Sequence, residues 1–281
     1  RSAADVRELL TALKQTLEYA GVSDCNMEEG SLRADANVSV RRVGDRALGT
    51  KNEIKNVNSL SGIEKAVTLE VERQEALLES GGVVEAETLL WDDHRQSLRS
   101  MRSKEESHDY RYFPDPDLPA LLITEADLEA ARATLPELPR TRKRRFQEAL
   151  GLSAYDAGVL TQSAAGADYF EAVAASVGDV KQAANWVMGP AQALMNARGE
   201  GVADFPVGPE ALAEIIRLVL DGTISDSAGK RVLEGVASGE GSPAEIVEVE
   251  GRRQVRDEGQ LVAWIDEVMA QHNDEVERYR E

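Results

Sequence analysis

The chain has 281 residues, 42% of them apolar, one cysteine and a formal net charge of −19. That length allows two domains; no apolar run of about 18 residues offers a membrane span, and a lone Cys25 with no secretory leader excludes an internal disulfide and suits a reducing cytosol. The acidity is uneven, with nine acidic and nine basic residues in 1–60 but nineteen against eight in 200–281, and RTRKRR (Arg140 to Arg145) forms a cationic block, so an anionic partner is not excluded.

Ser2 and Asp5 read as a capping box ahead of Val6, Leu9, Leu10, Leu13 and Leu17 at helical spacing, and Gly21 stops that helix. From Leu32 to Arg41 the apolar residues fall on even positions, which predicts a half-buried strand. VGDR (Val43 to Arg46) reads as a turn, and GTKNEIKNV (Gly49 to Val57) as the returning strand. Ser59 or Ser61 should cap a long helix closed by Gly81-Gly82. VVEAETLLW and SLRSMRSK, around a polar loop holding His94, predict a second hairpin. Residues 1–123 therefore read as an α+β domain, an antiparallel sheet with helices, and HDYRYFPDPDLP as an extended strap.

Beyond Ile123 the texture is helical. ITEADLEAARATL and PELPR form a short helix and linker over 124–139. ADYFEAVAASV, DVKQAANWVMGPAQALMNA, GPEALAEIIRLVLDG and SDSAGKRVLEGVASG build an all-α domain over 140–250. A further helical unit starts at 251. The chain opens inside a helical pattern without methionine and ends in EVERYRE, an uncapped polar stretch; we expect a piece of a longer protein.

The wet face of the first hairpin is crowded with charge. If its strands are symmetric about Gly44, Arg33 faces Lys55, Asp35 faces Glu53 and Asn37 faces Lys51. Like charges opposed across strands repel. A divalent cation between the carboxylates and a phosphate between the cations would relieve that, as would a solvated ladder of diagonal ion pairs. A one-residue slip would part the carboxylates onto opposite faces. His108 with Asp109 and Tyr110 could relay a proton or simply hydrogen-bond locally. No P-loop, GxGxxG, HExxH or CxxC pair occurs.

Taken in order, NMEEGSLRADANVSVR, GTKNEIKNVNS, ERQEALLESGG, SMRSKEESHDYRYFPDPDLP, LSAYDAGVLT, NWVMG and DGTIS resemble the GatB family, the B subunit of the aspartyl/glutamyl-tRNA amidotransferase. The resemblance spans nearly the whole chain. It implies part of a catalytic cradle domain, a helical domain and a truncated tRNA-associated tail. It also implies ATP and Mg2+ as cofactors, the glutaminase and small subunits of the amidotransferase as partners, and misacylated Glu-tRNA(Gln) or Asp-tRNA(Asn) as substrate. The side-chain carboxylate would be phosphorylated and then amidated by channelled ammonia.

Residue by residue, Asp35 and Glu53 resemble the family's metal ligands. Chemistry then assigns Arg33, Lys51 and Lys55 to phosphates and Asn37 to orientation. His108, Tyr110 and Arg111 lie in a strap expected to shape the pocket or channel wall. Ala34 stands where members often carry Cys, on the buried face. The family's remaining metal ligands, a His and Glu residues, would precede Arg1, and the end of its tail would follow Glu281. The rival reading is a non-catalytic helical tRNA-binding adaptor.

Overall fold

The computed structural model describes residues 2–101, 114–249, 258–272 and 279. They fall into two compact units, 1–142 and 143–281. Among the described residues no helix is long and apolar enough to cross a membrane.

In the first unit, α1 (Ala3–Tyr19) is held by the expected capping box: Ser2 N donates to Asp5 Oδ2 at 2.7 Å and Asp5 N to Ser2 Oγ at 3.3 Å. A four-stranded sheet follows, ordered β1 (Ala36–Val38), β2 (Asn52–Lys55), β3 (Thr88–Asp92) and β4 (Ser97–Ser100). Between β2 and β3 runs α2 (Leu60–Glu79), capped by Ser59, whose Oγ accepts from Gly62 N. Val38, Ile54, Val57, Ile63, Ala66, Val67 and Trp91 form the core beneath, with Val6 and Leu10 of α1 against it.

The α+β assignment holds, but the sheet is mixed and not antiparallel. β1–β2 and β3–β4 are antiparallel pairs, while β2 and β3 run parallel, Ile54 beside Leu89. The cause is α2: a helix between two neighbouring strands returns the chain to the starting edge, which makes the second strand parallel. The first strand is also shorter than its alternation suggested. It ends at Val38, and just beyond it Val40 N donates to the Gln74 side chain of α2 at 3.0 Å. β2 ends at Lys55, and Asn56 follows in the left-handed region at φ 64, its Nδ2 donating to Trp91 O at 3.2 Å.

α3 (Glu125–Thr134) has a second capping box, Thr124 with Asp127, and α4 (Pro139–Glu148) follows. The second unit is helical: α5 (Ala154–Leu160), α6 (Ala164–Val177), α7 (Val180–Trp186), α8 (Gln192–Arg198), α9 (Pro209–Leu220), α10 (Asp226–Ala237), α11 (Pro243–Val249) and α12 (Glu258–Gln271). The stretch expected as one helix is divided into α7 and α8 by a π-helical turn, Val187–Ala191. Pro190 lies inside it; lacking an N–H, it cannot continue an α-helical ladder.

Phe146 and Phe170 meet edge to face at 5.2 Å in the core of this unit, among Trp186, Met195, Leu212, Ile215 and Ile216. Gly229 of α10 admits close packing: a Cβ there would lie 2.7 Å from Val219 and 2.9 Å from Trp186.

One ion pair in this unit has a testable pH signature. Lys181 Nζ donates to Asp156 Oδ2 at 2.9 Å and holds that largely buried carboxyl below its ordinary range. A lowered folded-state pKa stabilises above the unfolded value of about 3.9, and the gain is lost as pH falls through the folded value. Asp156→Asn should therefore melt below the parent at neutral pH, with the gap closing as pH falls below the ordinary carboxylate range, as thermal scans across pH would read.

Candidate phosphoryl-transfer site

Parity places the site. In β1 and β2 the even positions Val38, Asn52 and Ile54 are buried against the helices, so Asn37, Glu53 and Lys55 lie on the opposite, half-open face. Thr88 of β3 joins them, its Oγ1 3.4 Å from Glu53 Oε2. Lys55 Nζ is 3.3 Å from that same oxygen. One residue before β1, Asp35 is paired with Arg33, whose Nη2 donates to Oδ2 at 3.2 Å. Lys51 is exposed, one residue before β2.

The expected cross-strand partners are corrected by the register. Asn37, not Asp35, stands opposite Glu53, and Ala36 pairs with Ile54. The hairpin is shifted by two residues from symmetry about Gly44, so parity is kept and Asp35 still shares the face with Glu53. The shift arises in the connecting loop, where Arg41 Nη1 donates to Arg46 O at 3.0 Å. Gly49 sits so close to the outgoing chain that a Cβ would lie 2.1 Å from Val40 O. In this register the two carboxylates lie diagonally, each beside a cation, and the like-charge opposition is relieved.

The structure thus brings together Asn37, Glu53 and Lys55, with the Arg33–Asp35 pair alongside. His108, Tyr110 and Arg111 lie outside the described residues.

The donor set suits a hard cation: two carboxylates with an amide and a hydroxyl nearby, all oxygen ligands. It does not complete a cage, since no group of three or more His, Cys, Asp or Glu is clustered among the described residues. Mg2+ is commonly held by one or two carboxylates plus water and substrate phosphates, and on that basis Asp35 and Glu53 fit it.

Sequence reasoning missed a buried polar group behind this face. Asn52, Glu70 and Gln74 are fully buried. Asn52 Nδ2 donates to Glu70 Oε1 at 3.0 Å, and Arg73 Nε donates to Glu70 Oε2 at 2.8 Å. The signal was present: Asn52 occupies an inward position of β2, and Glu70 and Gln74 extend the buried stripe of Ile63 and Val67 along α2.

The cationic block is smaller in the fold than in the sequence. Within α4, Arg142 is buried, and Arg145 pairs with Glu171, Nη2 to Oε2 at 3.1 Å. Arg140, Lys143 and Arg144 are exposed.

Two family models match the chain in order, the GatB/GatE catalytic domain over residues 1–129 and the GatB domain over residues 168–281. All of the chain aligns with proteins named as the B subunit of aspartyl/glutamyl-tRNA(Asn/Gln) amidotransferase. It is 46% identical over 280 residues to that of Synechococcus elongatus, 49% to that of Pseudomonas fluorescens and 47% to that of Carboxydothermus hydrogenoformans. The chain spans 57–58% of the length of these curated relatives. With both models matched in sequence, and with whole-chain identity near one half, the chain belongs to the GatB family.

Proposed function

We propose that the wet face of β1 and β2 is part of a site that activates the side-chain carboxylate of Glu-tRNA(Gln) or Asp-tRNA(Asn) with ATP for amidation. The observation that carries this reading is the convergence of Asp35 and Glu53 with Arg33 and Lys55 on one sheet face. Family membership supports it, since the relatives are named as subunits of a tRNA amidotransferase.

The chemical need is specific. A carboxylate is a poor acyl donor until one oxygen becomes phosphate. Its oxygen attacks the terminal phosphorus of ATP and ADP leaves; ammonia nitrogen then attacks the acyl carbon and phosphate leaves, with a proton passing to solvent or a base. Arg33, Lys51 and Lys55 would hold phosphate oxygens, and Asn37, opposite Glu53, would orient the acceptor carboxylate. Mg2+ held by Asp35 and Glu53 would neutralise charge on the phosphoryl oxygens. The partner glutaminase, assembled with the small subunit of the amidotransferase, would supply ammonia, in the cytoplasm.

Asp35→Asn in the complete assembly, with amide formation and tRNA binding measured together, tests the reading. Lost amide formation with retained binding supports it. Undiminished amide formation would leave the chain a non-catalytic tRNA-binding adaptor, its site reduced to a solvated ladder.

The exposed cations of α4 are the nearest match to an anionic backbone. Lys143→Glu with Arg144→Glu should weaken tRNA binding and lower its salt dependence, by roughly one unit of slope per lost phosphate contact, as titrations at several salt concentrations would read.

A further inference from the structure

Beside its apolar contacts, one stretch of α2 reaches β1, β2 and the entry to β3 through polar groups. Gln74 donates from Nε2 to Val38 O at 3.2 Å and accepts at Oε1 from Val40 N at 3.0 Å, so its amide takes the place of a neighbouring strand along β1. Glu70 Oε1 accepts from Gln74 Nε2 at 2.6 Å and Asn52 Nδ2 at 3.0 Å, while Arg73 reaches both of its oxygens at 2.8 and 3.0 Å. Asn52 Oδ1 accepts from Glu87 N at 3.3 Å, at the entry to β3, and Arg73 Nη2 is 3.1 Å from Glu87 Oε1. Among the described residues no buried side-chain polar atom lacks a partner.

Burying a carboxylate and two amides here carries a desolvation penalty that an apolar plug would avoid. What the polar arrangement supplies is register. β1 is three residues long, too short to fix its pairing by packing alone. Gln74 fits main-chain groups two residues apart, and a one-residue slip would turn both away. Asn52 drawn inward to Glu70 forces the next side chain, Glu53, onto the wet face opposite Asn37.

We propose that Glu70 and Gln74 are positioning residues of the phosphoryl-transfer site, keying β1 and β2 to α2 so that Asn37, Glu53 and Lys55 meet. This rests on the reading of that face given above.

The test uses the full-length protein in its complete assembly, with Mn2+ as the probe. Gln74→Met keeps the side-chain length and removes both hydrogen bonds; Glu70→Gln keeps the shape and removes the charge, and serves if the first variant fails to fold. Hydrogen exchange of the 36–41 segment reports the register, Mn2+ paramagnetic resonance reports the metal, and Glu53→Gln is the reference variant.

The expected result for either variant, with the thermal transition of the helical unit unchanged, is exchange at Val40 faster by at least about tenfold and Mn2+ affinity lower by roughly 10–100-fold. Unchanged exchange, or faster exchange with parental Mn2+ affinity, overturns the positioning role provided Glu53→Gln weakens Mn2+. If Glu53→Gln itself leaves Mn2+ affinity unchanged, the metal reading has failed, and the positioning role falls with it.

Discussion

Glu53→Gln is expected to lower amide formation by the complete assembly by about 10²–10³-fold while tRNA affinity stays within about twofold. The size follows from charge: a ligand that helps neutralise a transferring phosphoryl group supplies several kcal/mol in the transition state, and each 1.36 kcal/mol is about tenfold in rate. The glutamine keeps the shape and the Thr88 contact but carries no charge for metal or for Lys55. The loss should fall on kcat, since the change removes an interaction strengthened only as phosphoryl transfer proceeds. A loss confined to KM for tRNA would place Glu53 in binding and not in activation. Parental turnover would reduce the Glu53–Lys55 pair to a surface contact contributing little.

The second large effect concerns stability. Phe170→Ala should destabilise the helical unit by about 3–5 kcal/mol, a fall of roughly 10–20 °C in its melting temperature. Phe170 is fully buried, packed edge to face on Phe146 and flanked by Tyr169, whose hydroxyl donates to Val207 O at 2.9 Å. Removing its ring leaves a cavity that helices tied at both ends cannot close. Its effect belongs to the second unit, 143–281, so hydrogen exchange in β1 to β4 should stay at the parental rate. Coupled loss of protection in the sheet would show that the two units unfold as one.

Local features were legible in the sequence and non-local ones were not. Ser2 with Asp5 announced the start of α1 because a cap is satisfied within three residues. The face carrying Arg33, Asp35, Asn37, Glu53 and Lys55 was legible because a strand alternates with a period of two whatever its partner.

Register was not legible. The contacts around it are non-local: Gln74 meets Val40 from 34 residues away in the chain, and Gly49 of the loop abuts Val40. The parallel pairing of β2 with β3 was hidden for the same reason: both expected hairpins exist, and only α2 decides that they join in one mixed sheet. Asn52, Glu70 and Gln74 were passed over because polar residues inside a strand or on a long helix read as solvated; here they face inward and satisfy one another. The division of α7 from α8 turns on Pro190 within an otherwise continuous helical pattern.

Asp35 and Glu53 should together hold a divalent ion beside phosphate. Crystals of the complete assembly grown with Mn2+ in place of Mg2+ and with a non-hydrolysable ATP analogue test this most directly. The expected result is an anomalous peak within about 2.1–2.3 Å of a carboxylate oxygen of both residues, with Arg33 and Lys55 turned from the carboxylates toward phosphate oxygens. A bound analogue and Mn2+ elsewhere, with Arg33 still on Asp35 and Lys55 still on Glu53, would contradict it.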